Sequence, residues 1–245
     1  MENLNKPMCT AFSSELLSPV SIIQRNIEVL KNHCSYVDTS LSEEVFSFAE
    51  NSIDSILGFI ENFHILNTSD EMKANLNPQW FSFQELITQV REELRHANLD
   101  VSRLKVIALP RQSTVLLDRY LINRILINLL SNALKFSGKK VELEITLINP
   151  MLTMAVRDYG IGIPASQLTE VFNPFVRAEN ASRFPGTGIG LSIVSRAVEC
   201  LDGTVSVKSE PNQSTEFRVD VPYRHIRPAK RKSTKNQHSL NINPS

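Results

Sequence analysis

The sequence of 245 residues predicts an α+β protein, in which an N-terminal helical hairpin precedes an α/β sandwich with a mixed, mainly antiparallel sheet. Three observations predict this fold class. Up to about Asn67 the apolar residues recur only at helical spacing. From Phe83 onward, helical patterns interchange with strand patterns. Tight turns join several of these strands, which favours antiparallel neighbours.

Residues 1–70 are predicted to form the helical hairpin. Its first helix starts near Phe12, and its second helix has an apolar seam over about four heptads. The seam consists of Leu41, Val45, Phe48, Ser52, Ile56, Phe59, Phe63 and Leu66. Because each apolar stripe is too long for one partner helix to cover, we expect a homodimer that forms a four-helix bundle. The alternative is a hairpin covered by the rest of its own chain.

Residues 71–223 are predicted to form the sandwich, with helices on one face of the sheet and a turn-rich linker at Asn75–Trp80. The predicted helices are Phe83–Ala97, Arg119–Phe136 and Ile189–Leu201. The predicted strands are Leu104–Leu109, Thr114–Leu117, Val141–Ile148, Leu152–Arg157, Thr204–Ser209 and Glu216–Val221. Residues 224–245 carry six basic and no acidic side chains, and we expect a disordered basic tail there.

Composition restricts the function classes. Twenty-six basic residues balance 26 acidic ones, and without the tail the balance is 20 against 26, a net charge of −6. Nucleic-acid binding is therefore not expected. The three cysteines, Cys9, Cys34 and Cys200, are far apart, which favours a reducing cytoplasm over a disulfide framework. No apolar run approaches the roughly 18 residues of a membrane helix, so we expect no membrane segment in this chain.

Four polar residues, Arg124, Asn128, Asn132 and Lys135, form one stripe on the predicted helix Arg119–Phe136. Apolar residues fill most of the other faces, so this helix should be largely buried and its amides need partners. The oxygens of the two asparagines suit a hard cation such as Mg²⁺, which also takes phosphate oxygens. The alternative interpretation is a solvated polar stripe.

Two glycine-containing segments follow along the chain. Asp158 ends a strand before Gly160 and Gly162, and a carboxylate there can accept a hydrogen bond from an amino group such as that of adenine. Asp and Gly are common in turns, however. The segment Gly186–Leu191 leads into a helix N-terminus, whose N–H groups and dipole attract anions. Its spacing fits neither the dinucleotide fingerprint nor a P-loop.

In order and spacing these motifs resemble the ATP-binding domain of sensor histidine kinases, within the ATPase family shared with gyrase and the heat-shock chaperones. The matching segments are NLLSNALKFS (Asn128–Ser137), DYGIGIP (Asp158–Pro164), VFNPFVR (Val171–Arg177) and GTGIGLSIV (Gly186–Val194). The resemblance implies ATP and Mg²⁺ as cofactors. It implies metal and phosphate contacts by Asn128 and Asn132, phosphate contact by Lys135, and adenine binding by Asp158. It also implies a nucleotide-pocket role for Phe136, Gly160, Gly162, Gly186, Thr187, Gly188, Gly190 and Leu191.

The resemblance further implies a mobile lid at Val176–Pro185. Phe172 and Phe175 would anchor this lid, although both are equally well explained as core aromatics. Arg177 stands where some family members have an arginine that assists γ-phosphate transfer. One departure from the family pattern is Asn212–Thr215, where a glycine is usual before Ser or Thr. We expect this departure to affect a turn more than ATP binding.

The segment FSSELLSPV (Phe12–Val20) resembles the phosphoacceptor and dimerisation domain of the same family, but Ser14 holds the position of the acceptor histidine. Glu15 agrees with the family pattern, whereas Leu17 replaces a usual arginine. A serine hydroxyl is a poor nucleophile unless a base removes its proton. We therefore expect a protein of two-component signal transduction that binds Mg-ATP but does not autophosphorylate at the usual site.

Two other functions stay open: a kinase with an unorthodox acceptor, and a nucleotide-gated dimeric scaffold. The partners expected from the resemblance are a second copy of the chain and a response regulator or partner kinase.

Overall fold

The computed structural model describes residues 73–108, 114–184 and 186–223, together with Ile23 and Arg25. The predicted hairpin seam, the basic tail, Ser14 and Glu15 lie outside the described residues. The helices are α1 (Phe83–His96), α2 (Arg119–Phe136) and α3 (Gly190–Cys200). The strands are β1 (Pro78–Ser82), β2 (Leu104–Ala108), β3 (Thr114–Asp118), β4 (Val141–Ile148), β5 (Met151–Asp158), β6 (Thr204–Glu210) and β7 (Ser214–Pro222). Short 3₁₀ helices occupy Val101–Arg103, Ala165–Gln167 and Glu179–Ala181.

The main sheet has five strands in the order β2-β4-β5-β7-β6, and it is mixed, as predicted. Strand β2 runs parallel to β4, whereas the other three pairs are antiparallel. On β5 the side chains of Leu152, Met154 and Val156 are buried on one face, and Asp158 ends the same row. The alternation of a strand therefore places a carboxylate at the end of the buried face.

Helix α2 is the central element of the core. Its apolar side chains are buried with those of β4 and β5 in one cluster: Leu121, Ile122, Ile125, Leu126, Leu129, Leu130, Ala133 and Leu134. The helix begins after Asp118, whose Oδ1 accepts the backbone N–H of Leu121 at 3.1 Å. Among the described helices, none combines the length and the apolar character that a bilayer crossing requires.

The predicted linker Asn75–Trp80 is partly wrong, because Pro78–Ser82 forms strand β1 and pairs antiparallel with β3 in a separate two-stranded sheet. Pro78 occupies the first position of the strand, where a missing N–H is tolerated. The backbone N–H of Asn77 donates to Asp118 Oδ2 at 3.0 Å, across 41 positions of sequence. This long-range pairing stabilises a strand in a segment whose local composition indicates a turn.

Alternating charges cross the face of the main sheet that lies opposite the helices. In the strand register Lys105 lies beside Glu142, Glu142 beside Arg157, Arg157 beside Glu216, and Glu216 beside Lys208. The Arg157 Nε donates to Glu216 Oε2 at 2.9 Å. Opposite charges in such cross-strand positions contribute roughly 0.2–1 kcal/mol each, so this row favours the observed register.

Candidate functional site

A cavity of about 240 Å³ lies among the inner face of the sheet, α2 and the segment before α3. Small-molecule sites in proteins usually occupy roughly 300–1,000 Å³, so this cavity approaches the lower end of that range. The sequence-predicted residues that line it are Asn128, Asn132, Lys135, Phe136, Asp158, Gly162, Arg177, Gly186, Thr187, Gly188, Gly190 and Leu191. Motifs that are far apart along the chain therefore share one site.

The cavity lining includes a buried carboxylate. Asp158 is 5% exposed, and burial raises its pKa to about 6, while a hydrogen bond from the Gly160 N–H to its Oδ1 at 2.9 Å acts in the opposite direction. Thr215 lies opposite Asp158 on β7 and also lines the cavity. A carboxylate beside a hydroxyl, both buried, suits a ligand that presents an N–H donor.

The turn after Asp158 needs glycine at two positions. A Cβ on Gly160 would lie 2.2 Å from the carbonyl oxygen of Phe136. Gly162 has a φ of +66°, and a Cβ there would lie 2.3 Å from the carbonyl oxygen of Glu210. The Ile161 N–H donates to the Phe136 oxygen at 3.3 Å, which holds the turn against the end of α2. Gly160 itself lines a neighbouring surface groove and not the cavity.

Two amides of α2 face the first turn of α3. Asn128 Nδ2 donates to the carbonyl oxygen of Arg124 at 2.8 Å. A Cβ on Gly190 would lie 2.9 Å from Asn128 Oδ1 and 3.8 Å from Asn132 Nδ2. Arg124 belongs to the same predicted polar stripe, and its side chain contacts the Tyr120 ring, with the guanidinium carbon 5.3 Å from the ring centre.

The amide side chains in this part of the cavity are the candidate ligands for Mg²⁺. Among the described residues, no group of three or more His, Cys, Asp or Glu side chains is placed to hold a metal ion. The site instead offers the amide oxygen of Asn128 and the amide side chain of Asn132 beside a helix N-terminus. Mg²⁺ commonly takes few protein ligands and completes its shell with phosphate oxygens and water. The donor set therefore fits Mg²⁺ bound together with a phosphorylated ligand.

Positive charge collects at the same end of the cavity. The pKa of Lys135 is lowered, first by burial and then by the nearby charge of Arg177. Helix α3 begins after Ile189 with no side chain capping its first turn. Two neighbouring cations and the uncapped N–H groups of a helix together favour an anion.

The predicted lid covers one side of the cavity, and Pro185, its last residue, lies outside the described residues. Arg177 donates to the carbonyl oxygens of Ala181, at 2.6 Å, and Phe184. The Phe184 ring lies edge-to-face on Phe136, with 5.1 Å between the ring centres. In this conformation the lid is held by its own arginine and by an aromatic contact with the end of α2.

Both predicted lid anchors make specific contacts. The Phe175 N–H donates to the carbonyl oxygen of Gly188 at 3.0 Å, where Gly188 has a φ of +75°. The Phe172 ring packs edge-to-face on Phe217, with 6.2 Å between the ring centres. Since Phe217 lines the cavity, the two aromatics connect the lid segment to the cavity wall and to the glycine-rich loop.

Thr215 and Asn180 are among the cavity residues that are absent from the set that the sequence predicts. Thr215 belongs to the segment Asn212–Thr215, which the sequence predicts to affect mainly a turn. It lines the cavity beside Asp158, so this segment contributes to the cavity as well. The available signal for Thr215 is a polar residue at a buried position of the last strand. Asn180 lines the cavity from the lid, and its position in a short 3₁₀ helix leaves no periodic signal.

Known proteins share parts of this sequence. Residues 117–225 match the family model described as Histidine kinase-, DNA gyrase B-, and HSP90-like ATPase. Autoinducer 2 sensor kinase/phosphatase LuxQ of Vibrio parahaemolyticus is 28% identical over 221 residues, which are 86% of this chain. The chain spans 25% of the length of that relative.

Solved structures share the fold. The Acinetobacter baumannii histidine kinase AdeS superposes with a TM-score of 0.60 at 21% identity, over 86% of this chain and 98% of AdeS. Full-length ShkA in complex with AMPPNP superposes with a TM-score of 0.59 at 21% identity, over 84% of this chain and 46% of ShkA.

Proposed function

We propose that the cavity of this histidine kinase-like ATPase domain, which is homologous to those of two-component sensor kinases, binds ATP together with Mg²⁺. The observation that carries the proposal is the polarity of the cavity. Its lining combines the buried carboxylate of Asp158 with Lys135, two asparagines and a helix N-terminus, and we assign the carboxylate to one end and the other groups to the opposite end. This division suits a ligand with an amino-bearing base and a polyphosphate. The AMPPNP complex of ShkA, which shares the fold, supports the same ligand class.

Each end has its own task in this proposal. Asp158 accepts a hydrogen bond from the adenine amine, and Thr215 lies within the same end of the cavity. Asn128 and Asn132 would hold Mg²⁺, which when bound neutralises part of the phosphate charge. Lys135 neutralises phosphate oxygens directly. Arg177 would exchange its lid carbonyls for the terminal phosphate, since charge-assisted hydrogen bonds are stronger than bonds to neutral acceptors.

For the whole protein we propose a dimeric, sensor histidine kinase-like member of a two-component pathway that does not autophosphorylate at the usual position. Ser14 carries this part of the proposal, because a hydroxyl at its ordinary pKa is a weak nucleophile. A response regulator or a partner kinase would be its target. A nucleotide-gated scaffold is the second candidate, and it differs in releasing no phosphate and labelling no partner.

Calorimetric titration of the full chain with Mg-ATP tests the site. We expect saturable binding to the unaltered protein, and loss of binding in Asp158→Ala and in Asn132→Ala, which remove one group from each end of the cavity. Asn173→Ala, at an exposed position outside the cavity lining, is the matched control and should bind as the unaltered protein does. Unchanged binding in both cavity variants would refute the site.

A further inference from the structure

Asn180 connects the lid to the turn that follows Asp158, residues 159–162, which we name the glycine turn. Its Nδ2 donates to the carbonyl oxygen of Ile161 at 3.2 Å and to that of Gly162 at 2.9 Å. One side chain therefore bridges the lid and the turn, through acceptors that lie 19 and 18 positions before it in the sequence. Beside it, the Glu179 N–H donates to Gln167 Oε1 at 3.1 Å, so the same short 3₁₀ helix has a second attachment.

The glycine turn is a firm anchor for this contact. The carbonyl oxygen of Ile161 also accepts the Asn212 N–H at 2.8 Å, and the N–H of Ile161 donates to the end of α2. Nearby, the N–H of Ile163 donates to Ser209 Oγ at 2.9 Å. Since α2 and the β6–β7 hairpin both hold the turn, a lid bonded to it is bonded to the rigid part of the domain.

The other half of the Asn180 amide indicates why the contact exists. Its Oδ1 is buried without a hydrogen-bond donor in the described part of the chain. The reverse orientation of the amide would place this oxygen against two carbonyl oxygens, so the donors must face the turn. A buried unpaired acceptor is unfavourable. The fold therefore tolerates a cost at this position in order to keep two donors on the turn.

We propose that Asn180 is a positioning residue that fastens the lid to the glycine turn and thereby slows the release of a bound nucleotide. Asn180, Ala181 and Gly162 all line the cavity, so separation of the lid from the turn opens its wall at the base-binding end. The effect on nucleotide release rests on the proposed function, whereas the effect on the lid itself does not.

Asn180→Asp tests the attachment, because it preserves shape while replacing both donors with an oxygen that faces two carbonyl oxygens. Hydrogen exchange of the nucleotide-free full chain reports on the lid through the amides of Ala181 and Phe184, which are hydrogen-bonded within it. We expect these amides to exchange at least about tenfold faster in the variant, while the amides of β5 stay protected. Asn180→Ala, which adds no charge, should change lid exchange in the same direction.

Asn173→Asp is the control, since it makes the same chemical change at an exposed position in the neighbouring turn. Equal lid exchange in Asn173→Asp and Asn180→Asp would overturn the attachment. Loss of protection throughout β5 would show unfolding, and the result for Asn180→Ala would then decide between the outcomes.

The consequence for the ligand is measured by stopped-flow release of a fluorescent ATP analogue with Mg²⁺. We expect dissociation to be about tenfold faster in Asn180→Asp and Asn180→Ala, with association no slower. Faster hydrogen exchange in the lid with unchanged release of the analogue would overturn the positioning role. Absence of analogue binding to the unaltered chain would refute the proposed function instead, and the exchange result without nucleotide would still stand.

Discussion

At the scale of single residues, Asp158 links the proposed ligand recognition to the stability of the fold. Burial raises its pKa to about 6, above the usual 3.8 of an unfolded chain. The folded domain therefore binds this proton more tightly than the unfolded chain does. The contribution of this group to the free energy of unfolding is greatest below about pH 3.8. It falls by about 1.4 kcal/mol per pH unit as the pH rises to about 6, and it stays low above that pH.

Asp158→Asn should consequently stabilise the domain at pH 8 while it weakens nucleotide binding. The amide is neutral, and its oxygen can still accept the Gly160 N–H, so the buried charge is removed with little other change. We expect Tm without nucleotide to rise by at least about 3 °C at pH 8, and the difference to shrink as the pH falls from 6 to 4.

Scanning calorimetry at several pH values measures this effect. Asp202→Asn is the control, because Asp202 forms an exposed ion pair with Lys73, and such pairs contribute little. A Tm difference for Asp158→Asn that is independent of pH, or a lower Tm at pH 8, would contradict the argument.

At the scale of elements, the junction of α2 and α3 depends on Gly190. This residue begins α3, and the space that its missing side chain leaves is filled by the Asn128 amide. An added Cβ would lie 2.9 Å from Asn128 Oδ1, at the far end of a flexible side chain. The three atoms nearest to it from other parts of the chain all belong to side chains, and none is a backbone atom. The junction can therefore relax, but only by moving the amide that is proposed to hold Mg²⁺.

Gly190→Ala should keep the fold and impair the site. Alanine is a better helix former than glycine by about 1 kcal/mol, which offsets local crowding. Displacing a residue that orients a metal ligand typically weakens binding about 10- to 100-fold, and we expect that loss for Mg-ATP. Gly138→Ala is the control, because a Cβ there meets nothing within 4 Å and the residue does not line the cavity. Calorimetric binding and Tm of both variants check this, and normal Mg-ATP affinity in Gly190→Ala would contradict the Asn128 assignment.

Helix α2 and strand β1 show which elements the sequence can predict and which it cannot. The predicted and observed bounds of helix α2 agree, because a capping aspartate and an apolar period act over a few positions. Strand β1 escapes prediction because its pairing partners are 32 to 40 positions away and its own residues favour a turn. The site behaves in the same way: motif spacing identifies Asn128 and Asp158, whereas Asn180 enters through contacts that no local pattern encodes.

At the scale of the whole molecule, the proposed function depends on how the proposed nucleotide site is used. In the proposed function, the cavity of the described domain has both a base-binding and a phosphate-binding end. The proposed acceptor position lies elsewhere in the chain, at Ser14. If the ATP site is intact and only the nucleophile is missing, then supplying an imidazole should restore phosphate transfer. The chemistry of the acceptor is then separate from the capacity to bind ATP.

Ser14→His is the variant that supplies this imidazole. We expect no acid-labile phosphohistidine in the unaltered protein after incubation with γ-labelled Mg-ATP, and a clear increase in the variant, because an imidazole nitrogen attacks phosphorus where a serine hydroxyl does not. Glu15 and Pro19 keep the rest of the motif, whereas Leu17 in place of arginine limits the gain. The measurement is the amount of label that survives base but not acid.

The control carries Ser14→His together with Asp158→Ala, which should remove the label if the phosphate comes through the proposed cavity. Acid-labile label on the unaltered protein would identify another acceptor and contradict the role assigned to Ser14. Ser14→His without label, despite normal Mg-ATP binding, would contradict the single missing nucleophile. The defect would then include the approach of the hairpin to the cavity, since a bound phosphate and a competent nucleophile react only when the fold brings them together.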